Sequence, residues 1–238
     1  MKKVFVYLGS NNKKSTAFDY IIKLKERVDE MALDFDIHWD IYTPHVTDIL
    51  YCTGCISCFK LGKCPLDVCD SMAEIKQKMI ESDFIIFGSP VYAHNVSGHC
   101  KVFIDRISYW MHLFRLGGKA GFTLVSTSNN GMDIVTNILE SALTYMGVET
   151  VGNIMLTMMN QHFDKNIDMY TKIMISYLTG EAKVKSNDLF ESIFKVQKFS
   201  FLNGNKNDSE FVYWEKNGFL EAMNYQELLD KKFNNGLD

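Results

Sequence analysis

Residues Phe84 to Arg106 read FIIFGSPVYAHNVSGHCKVFIDR, and the change of texture along them decides the fold. Phe84, Ile85, Ile86 and Phe87 form an apolar run of strand composition that breaks at Gly88-Ser89-Pro90. A loop with aromatic and amide side chains follows. After Ser97-Gly98, the apolar residues Val102, Phe103 and Ile107 recur at spacings of one and four, a helical pattern. The unit is strand, open loop, helix, and in open α/β sheets ligands sit at that junction.

Upstream, Lys3 to Leu8 is a β-branched and aromatic strand feeding the polar run Gly9 to Thr16. A helix from Ala17 to about Met31 follows, with Phe18, Ile21, Ile22, Leu24 and Val28 on its apolar face. Asp36 to Tyr42 alternates in the manner of an edge strand, and Ser71 to about Ser82 is a short helix. Downstream, Lys119 to Ser126 is a strand broken by Thr127-Ser128-Asn129-Asn130-Gly131. A helix from Met132 to about Met146 and a strand from Glu149 to Leu156 complete five alternating β/α units. That alternation predicts a doubly wound parallel sheet. It stops after Leu156. Met158 to Gly180 and Asn187 to Phe199 are expected to be helical, and Phe211 to Asp238 carries aromatics among charges. Those aromatics must be buried on the chain's own helices or, the favoured expectation, at a subunit interface or as a lid. The expected division is 1–157 as the ligand-binding domain and 158–238 as a helical extension.

The 238 residues suffice for a domain of roughly 150 to 180 residues plus an appendage. With 47% hydrophobic and 23% charged residues the chain is of globular composition. A net charge of -4 without basic blocks weighs against nucleic acid or an anionic membrane as a partner. No apolar run approaches the roughly 18 residues of a membrane span, and the start MKKVFVYLGS reads as a first strand of a cytoplasmic protein rather than a signal peptide.

Two stretches carry candidate chemistry. Ser10, Asn12, Lys14, Ser15 and Thr16 lie at a helix N-terminus, where unpaired amides and the helix dipole suit a phosphate. The alternative for Ser15 and Thr16 is simple capping. Cys52, Cys55, Cys58 and Cys64 are spaced C-x2-C-x2-C-x5-C with Pro65 after the fourth. Three cysteines at intervals of three can wrap a cuboidal 4Fe–4S cluster. Zinc sites more often pair two knuckles across a longer spacer, and free or disulfide-forming redox thiols are a third reading. Cys69 is then a spare and Cys100 a buried core thiol.

The arrangement of the three loops and the wording GSPVY, VSG and K-x-F-I-D-R over 84–106 resemble the flavodoxin-like NADPH-dependent FMN reductase family, over about residues 1–157. The resemblance implies a five-stranded parallel sheet in the order 2-1-3-4-5, FMN as cofactor and NAD(P)H as co-substrate. The Ser10 to Thr16 loop would hold the FMN phosphate. Ser89, Pro90, Val91 and Tyr92, with Asn95, Val96 and Ser97, would flank the isoalloxazine ring, and Thr127, Ser128, Asn129, Asn130 and Gly131 would close its other edge. The sequence departs from the family's first loop, GSPRxxSxT. Asn11-Asn12 replace Pro-Arg and Thr16 directly follows Ser15, leaving Lys13 or Lys14 as the nearby cations. The cysteine spacing is also similar to that of iron–sulfur flavoproteins, a branch of the same superfamily, although related segments occur without a cluster.

The implied activity moves hydride from NAD(P)H to FMN and on to a quinone, a flavin or another small-molecule acceptor or redox protein. No protein acid or base is required: Asp105 and Arg106 read as structural contacts and His94 as a solvated loop residue. The alternatives are an iron–sulfur electron carrier and a non-enzymatic flavin or thiol redox sensor. A homodimer or homotetramer is expected.

Overall fold

The structure is a computed structural model that describes residues 1–157 and 164–233. Its centre is two neighbouring parallel strands, β1 (Lys2–Leu8) and β3 (Phe84–Tyr92). Val4 to Leu8 and Phe84 to Phe87 are all buried, as strands covered on both faces must be. β2 (Ile37–Tyr42) pairs with the outer side of β1 and is the edge strand its alternation predicted. A two-residue strand, β4 (Asn95–Val96), folds back antiparallel on the end of β3. β5 (Ala120–Thr127) pairs with β3, and β6 (Glu149–Thr157) with β5. The sheet runs β2-β1-β3-β5-β6, so the five parallel strands counted along the chain stand in the expected order 2-1-3-4-5. The order reverses between β1 and β3, and the crevice outside their carboxyl ends is where this topology places a ligand.

The connecting helices are α1 (Thr16–Met31), α2 (Ser57–Leu61), α3 (Met72–Glu81), α4 (Gly98–Ile107) and α5 (Met132–Tyr145). α1 buries Ala17, Tyr20, Ile21, Leu24 and Val28, one stripe at helical spacing.

Past β6 come α6 (Asp164–Thr179), α7 (Asp188–Leu202), α8 (Ser209–Lys216) and α9 (Tyr225–Leu228). Of the helix expected over Met158 to Gly180, positions 158–163 lie outside the described residues. α6 packs on α1. α7 starts at Asn187, whose Oδ1 accepts the Phe190 amide at 2.9 Å.

Of the aromatics expected to favour a subunit interface or lid, Phe211, Trp214, Phe219 and Tyr225 are instead buried in their own chain and Tyr213 is half-buried. Trp214, Phe219 and Tyr225 surround Phe114 at centroid distances of 6.2, 6.5 and 4.7 Å, and Phe194 stacks on Trp214 at 5.3 Å. Trp214 Nε1 donates to the His112 carbonyl at 2.8 Å, satisfying the indole's one polar atom. Each such ring contributes about 1.5–3 kcal/mol by leaving water. Residues 234–238 of that stretch lie outside the described residues. Among the described residues no helix is long and apolar enough to cross a membrane.

Candidate functional site

The polar loop after β1 is held from below. Gly9 lies against the start of α4: a Cβ there would come within 2.5 Å of Cys100 Cβ and 2.9 Å of Ser97 Oγ, so only glycine allows the approach. Ser97 caps α4 by accepting the Cys100 amide at 3.1 Å and donates its hydroxyl to the Gly9 carbonyl. Ser89 Oγ accepts the Ser97 amide at 2.9 Å and donates to the Pro90 carbonyl at 2.9 Å. Ser89 and Ser97 are thus buried struts joining β1, β3 and α4, not groups lining a cleft. Above them the loop is folded by its own side chains. Ser10 Oγ accepts from the Asn12 amide at 3.3 Å, Asn12 Oδ1 from the Lys14 amide at 3.0 Å, and Ser15, the N-cap of α1, from the Phe18 amide at 3.2 Å.

The loop after β3, expected to be open, is a tight hairpin. Tyr92 pairs with Asn95, and the two residues between them, Ala93 and His94, both have left-handed backbones (φ 50° and 58°). Positive φ at both positions marks a type I′ turn. The left-handed region costs a non-glycine residue roughly 1–2 kcal/mol, and Ala-His carries none of the Asn-Gly signal that would announce the turn. The hairpin leaves Tyr92 59% exposed at the rim. Asn95 Oδ1 turns back to the Val96 amide at 2.8 Å, and Val96 is buried beneath.

The loop after β5 leans on this hairpin. A Cβ on Gly131 (φ 81°) would meet Val91 Cγ1 at 3.1 Å and His94 Cα at 3.4 Å. Thr127 Oγ1 accepts the Asn129 amide at 3.2 Å and donates to the Asn130 carbonyl at 3.1 Å, so Asn129 and Asn130 shape the loop from its exposed side.

One cleft joins the three loops. Ser10, Asn12, Lys14, Ser15 and Thr16 line one end, Pro90, Val91 and Tyr92 a wall, and Thr127 and Ser128 the far edge. Ser126, Leu156 and Thr157 line it too and were not anticipated. The end of β6 reaches the same carboxyl edge, which only the strand order reveals. Ser89, Asn95, Val96, Ser97, Asn129, Asn130 and Gly131 support the cleft without lining it.

Residues 2–162 match the model of the NADPH-dependent FMN reductase family. The chain belongs to that family. An iron–sulfur flavoprotein of Archaeoglobus fulgidus is 35% identical over 117 residues, 48% of this chain and 52% of that protein. Another, from Methanocaldococcus jannaschii, is 43% identical over 81 residues, 34% of this chain and 41% of its own length. The chain spans about half the length of the curated relatives it matches. Among solved structures, RosB with bound 8-demethyl-8-formylriboflavin-5′-phosphate superposes with a TM-score of 0.60 at 12% identity, covering 84% of this chain and 88% of that one, a likeness of fold. For an FMN reductase the cleft is chemically apt. Lys14, the hydroxyls of Ser10, Ser15 and Thr16 and the first amides of α1 suit a phosphate, and Pro90, Val91, Tyr92 and Leu156 offer the apolar walls a flat ring needs.

The cysteine segment stands apart. Cys52, Cys55 and Cys69 are exposed, Cys58 and Cys64 are partly buried, and all are free. Hydrogen bonds from the Ser57 hydroxyl and amide and from Thr53 hold the Cys55 thiol below its ordinary pKa. Burial, with Cys64 nearby, raises that of Cys58. Among the described residues no three metal-ligating side chains come close enough to hold a single metal ion, while Cys52 and Cys64 both lie near enough to Cys58 for their charges to raise its pKa. Cys100 is the buried core thiol expected of it, pushed up to about 12 by burial.

Arg106 does the structural work expected of it, though not with Asp105, which pairs with Lys101 instead. Its guanidinium is fully buried and spans the two ends of the cysteine segment. Nη1 donates to the Leu50 carbonyl at 2.8 Å and to Asp70 Oδ2, and Nη2 donates to Asp67 Oδ1 at 2.8 Å. Burial alone would lower the guanidinium pKa, but the bonds to Asp70 and Asp67 outweigh it and raise it. Opposite, Ser209 at the start of α8 donates to the Phe59 carbonyl of α2 at 2.8 Å.

Proposed function

We propose that the chain is an FMN-dependent oxidoreductase that takes reducing equivalents from NAD(P)H and delivers them to a small-molecule acceptor such as a quinone or a flavin, or to a redox protein. The observation that carries this reading is one cleft that joins the polar N-terminus of α1 to the Pro90–Tyr92 wall, in a chain of the FMN reductase family. Lys14 and the serine and threonine hydroxyls would anchor the phosphate, and Tyr92 would lie against the ring. The Ala93-His94 turn carries that tyrosine at the rim of the cleft. When bound, FMN supplies the two-electron chemistry, and the protein's share is position, hydrogen bonding and exclusion of water.

The test is a flavin-fluorescence titration followed by anaerobic mixing with NADH and with NADPH. Binding of FMN, its reduction by either nucleotide and an at least tenfold weaker affinity in Lys14→Met are expected, about the loss of one charge-assisted hydrogen bond. No binding at micromolar protein would overturn the reading. FMN binding without reduction by either nucleotide would favour a non-enzymatic redox sensor.

A second reading, an iron–sulfur electron carrier, is favoured by the naming of the curated relatives as iron–sulfur flavoproteins together with four thiols on one short segment. It requires the segment to close around a cluster. Iron and sulfide counts on protein purified without oxygen decide it: near-zero iron leaves the thiols as redox or structural groups.

We also propose that residues 1–157 carry the flavin site, that the protein works in the cytoplasm and that it forms a homo-oligomer. Leu189, Val196 and Phe199, seven and three residues apart on α7, remain 57%, 68% and 72% exposed, an apolar stripe that supports self-association. Light scattering that returned a single-chain mass would sink that last part.

A further inference from the structure

A second cavity, of about 280 Å³, shares no lining residue with the cleft. It lies between α3, the turn Ser108–His112 that follows α4, and α8, and it borders the cysteine segment at Gly62 and Asp67. Its charges do not cancel. Asp67 is the one carboxylate in the lining, and it is spent: both its oxygens accept from Lys76 Nζ, at 2.9 and 2.7 Å, and Oδ1 also takes Arg106. Lys76, 5% exposed, is spent in turn on Asp67 and sits 5.1 Å from the Tyr109 ring centroid. Arg115 is different. Its guanidinium rests 5.3 Å from the Tyr213 ring and has no carboxylate partner among the described residues. With Lys76 and Asp67 cancelling, the cavity holds one uncompensated cation, and Tyr109, Trp110 and Tyr213 form aromatic walls around it.

We propose that this cavity is a binding site for a planar aromatic monocarboxylate. A guanidinium presents two parallel N–H donors that match a carboxylate, which an ammonium does not. One uncompensated guanidinium in the lining selects an anion over a neutral ligand and offers a fork for one carboxylate. The rings of Tyr109, Trp110 and Tyr213 suit a flat apolar body by stacking or edge contact. Arg115 is the group that recognises the carboxylate and Tyr213, from the C-terminal region, holds Arg115 in place. Because Gly62 and Asp67 flank Cys64 in the sequence, an occupant would touch the segment that carries the thiols.

The experiment is calorimetric titration of the full chain, with FMN present and absent, using benzoate, benzamide and acetate as probes. Benzoate is expected to bind at least about tenfold more tightly than benzamide, which keeps the ring without the charge, or acetate, which keeps the charge without the ring. Its affinity should not change with FMN. Arg115→Met should weaken benzoate by about tenfold or more while FMN affinity and melting temperature stay as in the parent. Ala73→Trp, which fills the cavity from its exposed rim, should abolish benzoate binding and cover the case in which the Arg115 variant does not fold. The proposal is overturned if benzoate gives no saturable heat at millimolar concentration, if benzamide binds equally well, if FMN displaces benzoate, or if neither variant changes the affinity.

Discussion

Replacing Arg106 with methionine tests the reading of the cysteine segment most sharply, because the size of the effect can be worked from the structure. Asp70 has a fully buried side chain, and its oxygens accept from Arg106 and from the amides of Leu50 and Met72, each at 2.9 Å. Methionine fills much of the arginine's space but removes the only cation bonded to Asp70 among the described residues; Lys76 still neutralises Asp67. Removing one partner of a buried ion pair costs about 3–5 kcal/mol, because the other charge is stranded. For a chain of this length each kcal/mol is worth about 2–4 °C, so the melting temperature at pH 7 should fall by roughly 6–20 °C. The pH dependence gives a second signature. In the parent protein burial raises the Asp70 pKa, but Arg106 and the two amides more than reverse this and hold the carboxyl below its ordinary value. That contribution is present above the ordinary aspartate pKa of about 3.9 and is lost as pH falls through the lower folded value. In the variant only the two amides oppose burial, which is expected to prevail, so the carboxyl should titrate above the ordinary value and stability should fall as pH rises through it. The gap between the two proteins must therefore widen from pH 4 to pH 7. Thermal unfolding followed by circular dichroism at both pH values measures it. A gap below about 3 °C at pH 7, the equivalent of 1 kcal/mol, would refute the reasoning, as would a gap that does not shrink at pH 4.

Gly9→Ala drives a Cβ into Cys100 Cβ and Ser97 Oγ and should cost about 1–3 kcal/mol by overpacking, with weaker FMN binding because the loop above it shifts; chemical denaturation and flavin titration read the two effects. Tyr92→Ala should leave stability nearly unchanged, since the side chain is exposed, but should weaken FMN by about three- to tenfold through lost ring contact, and equal affinities would move the ring elsewhere. Under brief treatment of the folded protein with iodoacetamide, mass spectrometry should find Cys55 labelled first and Cys100 unlabelled until unfolding, because the first is exposed with a lowered pKa and the second is buried.

The strands and their order were legible because the physics behind them is local. Val4 to Leu8 and Phe84 to Phe87 are unbroken apolar runs, and the alternation of Ile37, Trp39 and Ile41 marks an edge. The first loop was legible for the same reason, as Ser15 carries the capping signal in its own residue type. Ser89 and Ser97 were expected beside the ring and their hydroxyls bond within the scaffold, a distinction the sequence hides because a serine near a ligand loop looks alike whether its hydroxyl faces the cleft or a neighbouring carbonyl. Only the approach of Gly9 to Cys100 decides that. Leu156 and Thr157 went unnoticed because their place in the cleft depends on β6 pairing with β5, a contact between residues far apart in the chain. The I′ hairpin was hidden by Ala93-His94, whose backbones are held left-handed by the pairing around them rather than by their own preference. The tail's destination was equally non-local, since nothing near Trp214 in sequence points to Phe114.

The bond from Ser209 to Phe59 joins positions 150 residues apart in a chain that is made from one end. At about 5–20 residues per second, a ribosome that has completed α2 needs roughly 8–30 s more to produce the residue that fastens it. During that interval β1 and β3 can already pair, while α2 and the cysteines around it have no α8 to rest on. The thiols are then at their most accessible, to oxidant and to any delivery machinery alike. Cys52, Cys55 and Cys69 stay exposed once α8 has closed over α2, so the nascent chain is the first setting, and the folded protein a second, in which their chemical state can be set.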